Sequence, residues 1–146
     1  MNDKEILTSP AICHGAVLAA MIKSDSKSVV DQLKSKYSER FNLNNYKQKS
    51  NFHADVILFQ NWAYRVEKGW YGFALGEFVP YVWTNILDEF FNYVEIKCPD
   101  FKIHQVKIKF GGIRIYLKLN SKESSGEINE EIEKLEEWLQ HPDLGY

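Results

Sequence analysis

The sequence predicts an α+β fold: a small antiparallel sheet built around a hairpin at 103–120, with helices packed on one face. Three observations carry this reading. Two runs of alternating apolar and polar residues meet at Gly111-Gly112 inside Gln105–Asn120, QVKIKFGGIRIYLKLN, as expected of a tight β-hairpin. The stretch 77–94 repeats apolar residues at helical spacing. So does Glu127–Gln140, where Ile128, Ile132, Leu135 and Leu139 form a single stripe. With 146 residues and an apolar share of 45%, the chain suits one domain, 1–146, with a core of ordinary size.

A Gly111-Gly112 turn pairs Phe110 with Ile113, Ile108 with Ile115, Val106 with Leu117 and His104 with Leu119. One face then carries Val106, Ile108, Phe110, Ile113, Ile115, Leu117 and Leu119. The other carries Gln105, Lys107, Lys109, Arg114, Tyr116 and Lys118. Lys109 would lie opposite Arg114, and like charges across a ladder destabilise it. This basic face calls for an acidic partner, inside the protein or outside it.

The elements before the hairpin follow from local signals. Ser9-Pro10 reads as a helix start, opening a small-residue-rich helix over 11–22. Val29, Val30, Leu33, Tyr37 and Phe41 give a second helix at 3.6-residue spacing. Residues 42–51 are polar and Asn-rich, as in a surface loop. Residues 54–66, ADVILFQNWAYRV, suit a helix or a buried strand, and their β-branched and aromatic content favours a strand at 55–60. Lys68–Gly72 and Gly76 mark a turn region with exposed aromatics. Glu77 to Val94 is then the longest helix, with Pro80 in its first turn and Cys98-Pro99-Asp100 closing it. After the hairpin, 121–126 reads as a polar linker, with Ser124 or Ser125 capping the last helix.

Net charge is −2, but the charges are segregated. Residues 97–122 hold seven basic and one acidic residue; residues 123–146 hold eight acidic and one basic. Cys13 and Cys98 are far apart and lack metal spacing, so buried free thiols are expected, with no metal and no cofactor. The apolar run 11–22 is too short to span a bilayer, and Asp3 and Glu5 do not suit a signal peptide. A cytoplasmic protein is the expectation. The aromatic share, 14% with Trp62, Trp70, Trp83 and Trp138, points first to core and second to interface anchors.

The run Lys107-Ile108-Lys109-Phe110-Gly111-Gly112-Ile113-Arg114-Ile115-Tyr116 resembles a K-x-K-F-G-G-L-R-F-Y string of small bacterial and prophage proteins. There, as here with Gly69-Trp70-Tyr71 and 77–94, the string follows a Gly-Trp-aromatic segment and a helix. The resemblance covers roughly residues 69–140. Many of those proteins carry a Cys-rich C-terminal piece suited to zinc, a pattern absent from these 146 residues. The resemblance implies a hairpin and a helix, and a toxin-immunity-like protein, without implying an activity.

No catalytic signature appears in the sequence. The leading expectation is a non-enzymatic binding protein, such as a bacterial toxin-immunity protein or a phage-encoded counter-defence factor, that neutralises its partner by direct contact. Its partner-binding acidic face would be Glu127, Glu130, Glu133, Glu136 and Glu137, facing a basic toxin. The alternative is a nucleic-acid-binding module using Lys107, Lys109, Arg114 and Lys118 on phosphates and Tyr116 on a base. In a further reading, the acidic C-terminal helix covers the basic face as an internal charge match. An enzyme would need His14, His53 and His104 to converge with Glu67 or Asp55 from distant segments.

Overall fold

A computed structural model describes residues 54–75 and 81–139. The expected helix at 11–22, the helix carrying Val29 to Phe41, the loop at 42–51, His14, His53 and Cys13 lie outside the described residues. Within them the elements run α1 (Ala54–Trp62), a 3-10 turn (Ala63–Arg65), β1 (Gly72–Ala74), α2 (Tyr81–Lys97), β2 (Lys102–Lys109), β3 (Gly112–Lys118) and α3 (Lys122–Trp138). The fold is α+β, as the sequence predicts.

The sheet has three strands in the order β1-β2-β3. β2 and β3 form the antiparallel hairpin. β1 adds a short parallel strand, with Phe73 opposite Val106, so the sheet of the described residues is mixed. Nothing local announces β1. It lies in the turn region expected at 68–76, and its pairing is set by distant residues.

The hairpin turns one residue earlier than its diglycine suggests. Phe110 and Gly111 occupy the turn, with φ of 55° and 76°, the positive pair of a type I′ connection. Lys109 therefore pairs with Gly112, Ile108 with Ile113, Lys107 with Arg114 and Val106 with Ile115. The inward residues keep their face, because every pair moves together, but Phe110 leaves the core face for the tip. The like-charge pair nearest the turn is Lys107–Arg114 rather than Lys109–Arg114.

A bulge lies between Ile103 and Gln105. Its physical cause is legible in the apolar spacing: Phe101 and Ile103 are in one phase, Val106 and Ile108 in the other. An unpaired His104 lets both phases face inward, and Phe101, Ile103 and Val106 are all fully buried.

The stretch 55–60, expected as a strand, is helical. Ala54, Leu58 and Trp62 are its buried residues, spaced four apart on one helical stripe, while Val56 and Phe59 remain about half exposed. Tertiary packing of that stripe outweighs the β propensity of Val56, Ile57 and Phe59. Asp55 fixes the helix against the sheet by accepting a 2.7 Å hydrogen bond from the Leu75 N–H.

The core lies between the helices and the inner sheet face. α2 contributes Trp83, Ile86, Leu87, Phe90, Phe91 and Val94, and α3 contributes Ile128, Ile132, Leu135 and Trp138. Trp62, Phe91 and Phe101 form an aromatic junction, with ring centroids 5.4 Å apart for Trp62–Phe91 and 6.4 Å for Phe91–Phe101. Three of the four tryptophans are buried; Trp70 is the exposed one. Cys98 is a buried free thiol. α3 starts at Lys122, with Ser121 at the N-cap in place of Ser124 or Ser125, so the expected linker at 121–126 is the start of the helix. Among the described residues no helix is long and apolar enough to cross a membrane.

Candidate partner-binding face

The outer face of the sheet collects charge because period-two alternation sends every Lys and Arg of the hairpin to one side. Two like-charge pairs result, Lys107 opposite Arg114 and Lys102 opposite Lys118. Each has local relief. Arg114 Nη1 donates to its neighbour's carbonyl, Ile113 O, at 2.8 Å. Lys107 Nζ lies 5.7 Å from the Tyr116 ring centroid, a cation–π arrangement. Lys118 Nζ is 3.3 Å from Glu67 Oε2.

Glu67 also faces His104, whose Nε2 is 3.5 Å from Glu67 Oε1. Desolvation opposes the Glu67 carboxylate, but Lys118 and then His104 outweigh it and hold its pKa below the usual carboxylate range. The His104 imidazole stacks on Trp70 at 3.9 Å between centroids and 7° between planes. The turn at 67–70 thus brings Glu67 and Trp70 onto the bulge, tied by a 3.0 Å bond from the Glu67 N–H to Ile103 O. Sequence reasoning missed Glu67 and Trp70 as members of this face. The phase break at His104 was the available signal for the bulge; the parallel contact that delivers Glu67 and Trp70 has no local signal.

Exposed rings accompany these charges. Tyr116 is 45% exposed, Trp70 49%, Phe110 63% and Tyr71 86%. Lys109 Nζ is 5.6 Å from the Phe110 ring centroid at the hairpin tip. Lys109 and Lys118 are exposed, while Lys107 and Arg114 are half-buried.

No match to a protein family, a curated protein or a solved structure is found. The face is therefore read from its own chemistry.

The expected acidic face of α3 divides in two. Glu136 reaches inward and accepts the Ile115 N–H at 3.0 Å, and Glu127 lies 3.7 Å from Lys97 Nζ. Glu130, Glu133 and Glu137 are exposed. Glu131 is fully buried and accepts a 3.2 Å bond from Lys134 Nζ. α3 packs its Ile128–Leu135 stripe into the core and engages the rim of β3, where Leu139 O accepts the Ile113 N–H at 3.4 Å. The helix therefore covers an edge of the sheet rather than its basic face. Among the described residues no group of three or more His, Cys, Asp and Glu side chains is placed to hold a metal. Of the groups named for an enzyme, His104 and Glu67 meet, whereas Asp55 is bonded to Leu75.

Proposed function

We propose that this chain is a non-enzymatic cytoplasmic binding protein of the bacterial or prophage toxin-immunity kind, and that it holds a protein partner against the outer face of its sheet. One observation carries the reading: two exposed rings, Tyr116 on the ladder and Trp70 stacked on His104 beside it, lie among cations on a face that no described helix overlies. Tyr, Trp, Phe and Arg are the residue types enriched at interfaces, and burying them supplies most of the binding energy. The charge of the face selects an acidic partner surface and speeds encounter with it. The acidic α3 is the weaker candidate, because Glu127 and Glu136 are engaged within the protein. The resemblance of Lys107–Tyr116 to small prophage proteins supports the same class.

The test is co-purification of the tagged chain with the products of neighbouring genes, followed by calorimetry on any pair recovered. An affinity in the nanomolar range, weakened about tenfold or more by the double change Lys107→Glu and Arg114→Glu, is the expected result. Partners no tighter than about micromolar, or indifference to the charge reversal, would count against it.

A second reading, single-stranded nucleic acid, is favoured by Tyr116 and Lys107 lying together. Base stacking on an exposed ring beside phosphate-binding cations is the general mode of such modules. Fluorescence anisotropy with a labelled oligothymidylate separates the two readings. Binding that falls steeply with added salt supports the nucleic acid, and no binding at low salt removes it.

A further inference from the structure

We propose that Phe110, at the hairpin tip, is the anchor of this interface, and that it inserts into an apolar pocket of a protein partner rimmed by carboxylates. The inference rests on the reading that the outer sheet face binds a protein.

The first observation is conformational. Phe110 has φ of 55°, in the left-handed region where a Cβ crowds the backbone and where Asn, Asp and Gly are the residues normally found. A type I′ turn asks for Asn-Gly or Gly-Gly at its two central positions. This chain contains a diglycine one residue further on, yet Gly112 is spent as a buried strand residue opposite Lys109. A bulky aromatic takes the strained position instead.

The second observation is that the core gets nothing in return. Phe110 is 63% exposed and belongs neither to the buried cluster nor to the half-buried residues packed against it. A turn chosen only for folding would place Asn there. Backbone strain of this kind persists at sites where function requires a residue in that place. The third observation is charge. Lys109 lies over the Phe110 ring, and Lys107 and Arg114 form the next pair on the same outward face of the hairpin. An aromatic projection with cations behind it matches an apolar pocket with carboxylates at its mouth. A nucleic-acid backbone offers the carboxylate-like charge but no closed apolar pocket.

The decisive variant is Phe110→Asn, which restores the favoured Asn-Gly turn and removes the ring. The full-length protein is used to select peptides from a randomised library displayed on phage, and the selected peptides are then measured in solution. The expected peptides combine aromatic or branched aliphatic residues with flanking Asp and Glu. They bind Phe110→Asn weaker by about tenfold or more, while that variant melts at a higher temperature than the parent. Peptides that bind Phe110→Asn as tightly as the parent overturn the anchor. If those peptides still lose affinity on Lys107→Glu with Arg114→Glu, the sheet face stands as the interface without it. If they ignore that change too, the face reading fails with the anchor. A lower melting temperature for Phe110→Asn overturns the strain argument, and with it the proposal. Self-association of the parent abolished by Phe110→Asn, or oligothymidylate binding dependent on Phe110, assigns the tip to another occupant and overturns the acidic-pocket assignment.

Discussion

Gly72 shows how tightly one residue is held. It sits at φ +79°, and an added Cβ would lie 2.9 Å from Val66 Cγ2. Conformation and space both exclude a side chain there, because Val66 itself bridges to Ile103 of the sheet. Gly72→Ala should cost about 2 kcal/mol or more, read as a lowered denaturant midpoint with an unchanged slope. Two carboxylates give opposite pH signatures. Glu95 accepts a 2.6 Å bond from Tyr64 and a 2.8 Å bond from Arg65 Nη2. Tyr64 first, then Arg65, hold its pKa below the usual range. Its contribution is present at neutral pH and disappears as pH falls through that depressed value. Asp88 is pushed the other way by burial, against the bonds it accepts from Trp62 Nε1 at 2.8 Å and from Asn61. Its contribution is present at low pH and lost as pH rises through the raised value. In stability-versus-pH curves, Glu95→Gln should flatten the acid limb and Asp88→Asn should steepen it.

At the scale of elements, α3 yields the cleanest test. Gly126 lies in its second turn, and nothing comes within 4 Å of the place where an alanine methyl would sit. Glycine inside a helix costs about 0.5–1 kcal/mol relative to alanine. Gly126→Ala should raise stability by about that amount, measurable by chemical denaturation. Glu136 serves a different purpose. Its carboxylate and Leu139 O satisfy the outward N–H groups of Ile115 and Ile113, closing the rim of an edge strand that would otherwise template pairing. Glu136→Ala should leave a folded protein that self-associates, visible by light scattering. The elements differ in how far they could be read beforehand. α3 and the hairpin were legible because their apolar stripes at Ile128–Leu139 and Val106–Leu117 follow one period without interruption. α1 was not, since its stripe is only Ala54, Leu58 and Trp62, embedded in residues that favour strands. The diglycine misplaced the turn because register and core packing, rather than local glycine content, decide where the chain reverses.

For the molecule as a whole, the described helices lie on the inner face of the three-stranded sheet, leaving the basic outer face and the exposed carboxylates Glu130, Glu133 and Glu137 on separate surfaces among the described residues. Such separation orients an approaching partner before contact, so association with an acidic protein should slow with added salt while dissociation changes little. Stopped-flow mixing over a range of ionic strength measures both. The charge layout was readable from the blocks 97–122 and 123–146. The membership of the face was not, because Glu67 and Trp70 arrive through a parallel contact with residues more than thirty positions away.

The bulge at His104 has a consequence for how this chain tolerates change in length. Side chains before it point inward at odd numbers and after it at even ones, so His104 acts as a spacer that keeps two phases of one strand in step. Replacing it with alanine removes the stack on Trp70 and leaves the spacing intact. Deleting it leaves Gln105 alone between Ile103 and Val106, so a single alternation keeps Phe101, Ile103 and Val106 inward and Lys102 outward while the bulge disappears. Circular dichroism should show both the His104→Ala protein and the deletion mutant folded. At this one position the strand can lose a residue without turning its core side chains outward.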